Sequence, residues 1–363
     1  MNTDVLVIGA GSAGIAAAIA AAESGLRVLL LERYGFTGGM ATAAMVGTIC
    51  GLYYRGSGQP QYAVQGFARE FAAAIAERSI DQVNAVALDR QLTIQAQAIV
   101  DCSGEALIPT LAGQEMQEDD RHQAGAFVFQ VAGLSALDAR SMILQLIRCS
   151  KKGIHSGVLH EHSDHLSLVP GTLRDDGSAL LKLGLPRSCD SSPESRSDTE
   201  LLARRRATAL AQYLRAIEPS LQSLRITAMA AQVGIRSGPR PQGNDVLDRE
   251  QLLACSKPDD GVAIGAWPME HWGEQRQPEM TCFPANDHYL IPAGALVSRN
   301  LDNLFFAGRA FSATQPAIAS ARVIGTCLGT GYAAGMLAAS TVQSGSWQRA
   351  IGRIRSLQVR AKA

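Results

Sequence analysis

Three glycines and one carboxylate near the start of the chain carry its clearest chemistry. Gly9, Gly11 and Gly14 stand in the run Gly9-Ala-Gly11-Ser-Ala-Gly14, and Glu32 follows 18 residues after the last of them. Glycine at the first position permits a tight turn. At the second it lets a pyrophosphate approach the backbone, and at the third it lets a helix lie close to a strand. Glu32 stands where a carboxylate accepts from ribose hydroxyls, and it would repel a 2′-phosphate, which argues against NADP. The chemistry implied is recognition of a dinucleotide.

Those residues need a strand, a turn, a helix and a second strand, in that order. Val5 to Ile8 is a continuous apolar run, as a strand buried on both faces of a parallel sheet requires. A helix starting near Ser12 presents unpaired N–H groups and a positive dipole end to the phosphates. Ala16 to Ala22 are small, good helix formers, Gly25 suits the C′ position, and Arg27 to Leu31 reads as the second strand. After Glu32 come Arg33 and a second glycine pair, Gly38-Gly39, able to pass beside the pyrophosphate. Near the other end, Asn303 to Arg309 reads as another buried strand running into a glycine turn. A helix from about Pro316 follows, with Gly325, Gly329 and Gly335 allowing close packing. Nucleotide-contacting segments at opposite ends of one chain point to FAD; NAD dehydrogenases usually keep fingerprint and site in one contiguous domain.

Other reactive residue types are weighed against plainer roles. Arg236 and Arg240 would make a fork for a carboxylate, with a structural salt bridge the favoured alternative. His271, in Trp267-Pro-Met-Glu270-His271-Trp272, and His288 are the candidate general bases, set against ordinary polar roles. The run His155, His160, Glu161, His162, Asp164, His165 matches no standard metal spacing, so no metal is expected. The seven cysteines form no C-x-x-C pair, which excludes zinc and Fe–S spacing and argues against a disulfide reductase. Cys50 reads as a small apolar loop residue. No second G-x-G-x-x-G exists, so a dedicated NAD(P)H domain is not expected.

Lys+Arg 33 against Asp+Glu 33 gives no support for nucleic acid or an anionic membrane as partner. Arg204-Arg205-Arg206, on a helix expected over Asp198–Ile217, reads as a solvated face. The N-terminal apolar run lacks a basic flank and is interrupted by glycines, so it is not read as a signal peptide, and the expected compartment is cytoplasmic. The expected partner is a small-molecule substrate, with a homo-oligomer or a partner subunit left open.

With these residues in view, the chain resembles the FAD-dependent oxidoreductase family, among flavoproteins similar in fold to p-hydroxybenzoate hydroxylase. The matching stretches are Gly9 to Gly14 with Glu32; Gly38-Gly39-Met40-Ala41-Thr42; and Val100-Asp101-Cys102-Ser103-Gly104-Glu105 with Ala112-Gly113. They continue with Gly234-Ile235-Arg236 through Arg240 to Gly243, and with Tyr289 to Pro292, Asn303-Leu304, Ala307-Gly308-Arg309, Ser312, Arg322 and Gly331 to Gly335. The resemblance implies FAD held by Gly9, Gly11, Ser12, Ala13, Gly14, Glu32, Arg33, Gly38, Gly39, Met40, Ala41, Thr42, Ser103, Gly104, Gly308, Arg309, Ala317 and Ile318. It also implies that the helix after Pro316 aims its N-terminus at the flavin. Three departures stand out. The segment between Ser79 and Asp101 is short, leaving only a hairpin of Val83–Leu88 and Leu92–Ile99; Ala293-Gly294-Ala295 replaces bulkier residues; and Gln315 stands where relatives often have His.

The expected fold is α/β: a three-layer, Rossmann-like FAD-binding domain (1–115 and 285–345), an inserted α+β substrate lobe with an antiparallel sheet (116–284), and a C-terminal helix (346–363). Within the lobe the sequence predicts a strand over Ala124–Val131 and a helix opened by Ser135 with Asp138 as its capping box. A hairpin is expected around Arg174-Asp-Asp-Gly177, a surface loop over Arg187–Ser197 and a strand over Ile226–Ile235. The expected activity is that of an FAD-dependent dehydrogenase or oxidase taking a hydride from a small organic substrate onto flavin N5. A flavin monooxygenase using external NAD(P)H and oxygen is one alternative, and a flavin-binding subunit of a larger complex another.

Overall fold

The computed structural model describes residues 2–56, 59–77, 93–117, 122–134, 138–188, 192–273 and 275–359. The expected hairpin across 83–99 falls mostly outside these residues. Strands β1 (Asn2–Ile8), β2 (Val28–Leu31), β3 (Gln95–Asp101) and β12 (Leu304–Phe306) form a parallel sheet in the order β12-β3-β1-β2. Helix α1 (Ser12–Glu23) runs between β1 and β2 and packs against α9 (Ile324–Ser344). Gly331 and Gly335 of α9 make that contact: a Cβ on either would lie 2.1 Å from Ala13 O or 2.3 Å from Ala17 O. Short helices α2 (Met40–Ala43) and α4 (Leu107–Leu111) and the amphipathic α3 (Phe67–Glu77) flank this part. Helix α3 begins at Phe67, directly after Gly66, which takes a left-handed conformation with φ +57°.

A second sheet, antiparallel in the order β5-β6-β4-β7, comprises β4 (Ala124–Ala132), β5 (Leu166–Leu168), β6 (Ala179–Ser188) and β7 (Arg225–Met229). Helices α5 (Ala139–His155) and α6 (Pro193–Ile217) pack on it, burying Phe127, Phe129, Leu181 and Leu183 with Met142, Leu146, Leu210 and Leu214. Two smaller antiparallel pairs join β8 (Gly261–Gly265) to β11 (Tyr289–Pro292), and β9 (Met269–His271) to β10 (Glu279–Thr281). Helices α7 (Arg249–Leu253), α8 (Gln315–Ala321) and α10 (Ile351–Gln358) complete the chain.

Several local expectations need correction. Helix α5 is capped by Asp138, whose carboxylate accepts from Arg140 N and Ser141 N, so Asp138 serves as N-cap and not as the third helical residue. The expected loop over 187–197 is helical from Pro193, with the Ser192 hydroxyl accepting from Ser195 N and proline in the first turn. The Ser- and Pro-rich composition there was a start signal. The strand expected to Ile235 ends at Met229, with only an isolated bridge between Ala126 and Gly234 beyond it. Only Arg205 of the three-arginine run is exposed. Arg204 lies over the Phe127 ring and donates to Ala230 O and Ala231 O, and Arg206 reaches His160.

The helix expected to run on from Pro316 is two helices, α8 and α9, bent by 99°. The loop after α2 meets the break: Gly325 N donates to Cys50 O at 2.9 Å, and a Cβ on Gly325 would lie 2.8 Å from that carbonyl. Among the described residues no single helix is long and apolar enough to cross a membrane; this bent pair passes by length and composition together.

Candidate functional site

The glycine fingerprint is built on contacts between backbones. Gly9 leaves β1 with φ +92°, and a Cβ there would lie 2.7 Å from Cys102 O. A Cβ on Gly14 would lie 1.7 Å from Gly9 O, so only glycine lets α1 return so close to the strand. The second glycine pair packs directly on the first. Gly38 N donates to Ala10 O at 2.8 Å, Gly38 bridges Gly11, and a Cβ on Gly39 would lie 2.8 Å from Gly11 Cα. Gly308, with φ +74°, comes against Ala13, its Cβ position 3.0 Å from that of Ala13. The start of α1 has no side-chain cap on Gly11, so its first N–H groups remain available to an anion. Glu32 accepts from Ala10 N at 2.7 Å through one oxygen, and from Arg33 N and Tyr34 N through the other. An ionised carboxylate has about four lone-pair sites, so Glu32 retains acceptor capacity for a ribose. This donor set fits a dinucleotide pyrophosphate.

A cavity of about 330 Å³ opens beside this cradle, lined by Arg33, Tyr34 and Met40 on one side and by Arg196, Glu200, Arg204, Gln232 and Val233 of the antiparallel part on the other. Gln232 joins the two: its Oε1 accepts from Arg33 Nη2 at 2.8 Å and from the Tyr34 hydroxyl, and its Nε2 donates to Met40 Sδ. Arg309 donates to Gly104 O at 3.0 Å and to Ile235 O, and pairs with Glu105 at 2.5 Å. The other Glu105 oxygen pairs with Arg196. Arg309 is therefore oriented by protein groups beside the cradle. The Ser103 hydroxyl donates to Asp101 Oδ1, and Thr42 donates to Thr37 O. Ala317 and Ile318 are buried in the core.

A second polar cluster forms where the α8–α9 break meets the antiparallel part. Arg322, in the break, faces Glu270 of β9 at 3.7 Å and also contacts Glu270 O and Gln123 Oε1, both at 3.5 Å. Trp267 Nε1 donates to Glu270 at 3.2 Å. Gln123, fully buried, accepts from Trp272 N at 3.3 Å, and its Nε2 has no partner. The Trp272 ring has Arg236 4.5 Å and Lys182 5.0 Å from its centroid. Arg236 also donates to Ala124 O. Burial, then the neighbouring Arg322, pushes Arg236 down to about 9, which leaves it charged at neutral pH. Burial, then Arg236, lowers Lys182. Cys50 lies within the field of Glu270, Arg322 and Lys182; burial is the main cause that pushes its thiol up to about 11, so it stays protonated.

The candidate catalytic residues separate in space. His271 and Arg236 belong to this cluster; His271 Nδ1 lies 3.4 Å from Gln315 Nε2, at the start of α8. Arg240 is fully buried and donates to Ala313 O at 2.7 Å and Gly238 O at 2.8 Å. His288 sits instead with the Tyr54 hydroxyl at 3.3 Å and Asp287 at 3.9 Å, and burial, then Lys257, lowers its pKa. The histidine-rich run brings His162 Nδ1 to 3.3 Å from His165 Nε2, and among the described residues no three His, Cys, Asp or Glu group as a metal site. Lys182, Gln123, Glu270 and Trp272 were not singled out from the sequence. Lys182 alternates with Leu181 and Leu183 along β6 and reads there as a solvent-facing residue; nothing local reveals that Trp272 covers it.

The chain belongs to the FAD dependent oxidoreductase family, whose sequence model matches residues 4–91 and 76–360. It is an FAD-dependent oxidoreductase, and FAD is its cofactor. A urocanate reductase from Eggerthella lenta is 58% identical over 38 residues, a match covering 10% of this chain and 6% of that protein. Among solved structures, a geranylgeranyl bacteriochlorophyll reductase-like protein from Thermoplasma acidophilum is 11% identical, covering 98% of this chain and 82% of that one with a TM-score of 0.42. A flavoprotein/dehydrogenase from Cytophaga hutchinsonii is 14% identical, covering 98% of this chain and 83% of that one, with a TM-score of 0.38. These likenesses are too distant to carry substrate or mechanism.

Proposed function

We propose that the protein is an FAD-dependent dehydrogenase or oxidase that takes a hydride from a small organic substrate held at the junction of its two parts. The observation that carries this reading is the half-buried polar cluster of Arg322, Glu270, Gln123, Trp272, Arg236 and Lys182, set where the α8–α9 break, the Cys50 loop and the antiparallel sheet converge. FAD, when bound, supplies the hydride acceptor. The protein supplies position. Gly9, Gly14 and Gly39 shape the turn by close backbone packing, Gly11 would leave the space for the pyrophosphate, the Ser12 and Ala13 N–H groups would face it, and Glu32 would take the ribose. Arg33, Gly38, Met40, Ala41, Thr42, Ser103, Gly104, Gly308, Arg309, Ala317 and Ile318 would lie along the remaining length of the cofactor.

At the junction, Trp272 and the arginines orient the substrate and exclude water. His271 is the proton acceptor. Its Nδ1 lies 3.4 Å from Gln315 Nε2, at the start of α8, and a nitrogen of the imidazole ring takes the substrate's proton. The test is anaerobic: candidate substrates are added to the flavin-loaded protein under nitrogen. Bleaching of the visible flavin band by an organic substrate supports the reading. Steady NAD(P)H consumption in air, with no organic substrate able to bleach the flavin, refutes it in favour of a monooxygenase.

A further inference from the structure

The junction cluster is unbalanced in charge. Among the described residues, Lys182, Arg236 and Arg322 face one carboxylate, Glu270. Lys182 has no hydrogen bond or ion pair within the described residues; its ammonium is held only against the Trp272 ring at 5.0 Å. Arg236 bonds Ala124 O and stacks on the same ring, which leaves most of its five donors without a protein acceptor. The Arg322 contacts to Gln123 and Glu270 are all 3.5 Å or longer, and its Nε has no partner. The Nε2 donor of fully buried Gln123, on the amide whose oxygen meets Arg322, is also unpartnered.

A cluster of donors and no matching acceptors is costly when buried, and an anionic ligand removes that cost. Elsewhere, Arg309 and Arg196 share Glu105 and Arg240 holds backbone carbonyls, while Arg196 Nε and the Nε and Nη1 of Arg206 are buried without a partner. What marks the junction is that three cations gather there on one tryptophan ring and one carboxylate, beside a fully buried amide donor without a partner. Guanidinium donors favour a planar, bidentate acceptor, and the indole face offers an apolar floor beside it.

We propose that Lys182, Arg236 and Arg322, with the Gln123 amide, form the anion-binding end of the substrate site, and that the substrate is a small carboxylic acid bound as its carboxylate. The inference rests on the reading that substrate meets the flavin at this junction. Trp272 borders the carboxylate, and Lys182 and Arg236 both lie against its ring, so these two residues position the indole as well as the charge. His271, adjacent to Trp272 in the chain, falls beside the carbon skeleton of the bound acid.

The test uses the flavin-loaded protein and reads ligand-induced changes in flavin absorption. The probes are formate, acetate, succinate, benzoate and phenylacetate, each paired with its neutral amide, and a thermal-shift titration serves as second readout. At least one acid is expected to bind while its amide does not. Lys182→Met and Arg236→Met are each expected to weaken that acid by about ten-fold or more, with Lys182→Arg recovering most of the affinity. Flavin content and melting temperature of the variants, matched to the parent, separate lost binding from lost folding. The proposal is overturned if no acid perturbs the protein more than its amide, or if folded Lys182→Met and Arg236→Met bind the acid as the parent does. Acids that bind but never bleach the flavin would leave this proposal standing and defeat the dehydrogenase reading. A neutral compound that bleaches the flavin, with no acid bound, would do the reverse.

Discussion

The contact between α1 and α9 allows a sharp prediction. A methyl group on Gly331 would lie 2.1 Å from Ala13 O and 2.6 Å from Ala13 Cα, and both are backbone atoms that no rotamer change can move. Relief requires the two helices to separate by about 1 Å, and overpacking of this kind costs about 1–3 kcal/mol. Replacing glycine inside a helix returns about 1 kcal/mol. Because backbone meets backbone, the cost belongs at the top of its range, and Gly331→Ala is expected to destabilise by about 2 kcal/mol net. For a chain of this size that is a melting temperature lower by about 3 °C. Gly335→Ala meets Ala17 O at 2.3 Å and should lose a similar amount. The two should differ in cofactor affinity. Ala13 lies between Gly11 and Gly14 in the pyrophosphate turn, whereas Ala17 is one turn further along, so Gly331→Ala should weaken FAD about ten-fold and Gly335→Ala much less. Gly352 in α10, with nothing within 4 Å of a Cβ, is the control and should gain about 0.5–1 kcal/mol as alanine. Calorimetry of the FAD-free forms and flavin-fluorescence titration give the two readouts. A Gly331→Ala protein as stable as the parent would show that helix propensity governs this position and refute the steric argument.

Three further outcomes are expected. Glu105→Gln leaves Arg309 and Arg196 without their shared carboxylate and should lower stability by about 2 kcal/mol, read as a lower urea midpoint at unchanged slope; an unchanged midpoint would mean the arginines find other acceptors. Asp4 is pulled from 3.8 to about 2 by its side-chain and backbone hydrogen bonds with Arg27. Its folded-state value is the lower one, so its contribution is present above about pH 4 and is lost as pH falls toward 2. Asp4→Asn should therefore flatten the acid decline in melting temperature, and a parallel decline in both proteins would exclude the linkage. Cys50, pushed up to about 11, should resist iodoacetamide in the native protein at about pH 7.5 while exposed Cys282 is alkylated, as peptide mapping can read; rapid labelling of Cys50 would show a thiolate and contradict the burial argument.

What the sequence disclosed follows from how local the cause was. The Gly9, Gly11 and Gly14 spacing was legible because each glycine answers a contact within a single strand–turn–helix unit. Gly335 could be read as a packing glycine, yet its partner Ala17 lies at the far end of the chain and only the fold supplies it. The break at Arg322 was hidden for the same reason: Ile318 to Ser344 reads as helix throughout, and the interruption comes from the Cys50 carbonyl bonding Gly325 N. The 187–197 segment was misjudged from composition although Ser192 and Pro193 are a local cap and first-turn pair.

Arg236 and Arg240 show why the catalytic residues were harder. They lie four apart in a stretch between Met229 and Arg249 without regular secondary structure, so no period of 2 or 3.6 assigns them a face. One turns onto Trp272 at the junction; the other is locked onto Ala313 O and Gly238 O. The pair read as one fork is two residues with opposite tasks. Arg240 removes polar cost from buried carbonyls, which is a structural role, while Arg236 bonds one carbonyl and lies on the Trp272 ring, which leaves donors for the carboxylate proposed above. The difference between a structural and a ligand-binding arginine here is the count of its acceptors, a quantity that exists only once the two ends of the chain have met.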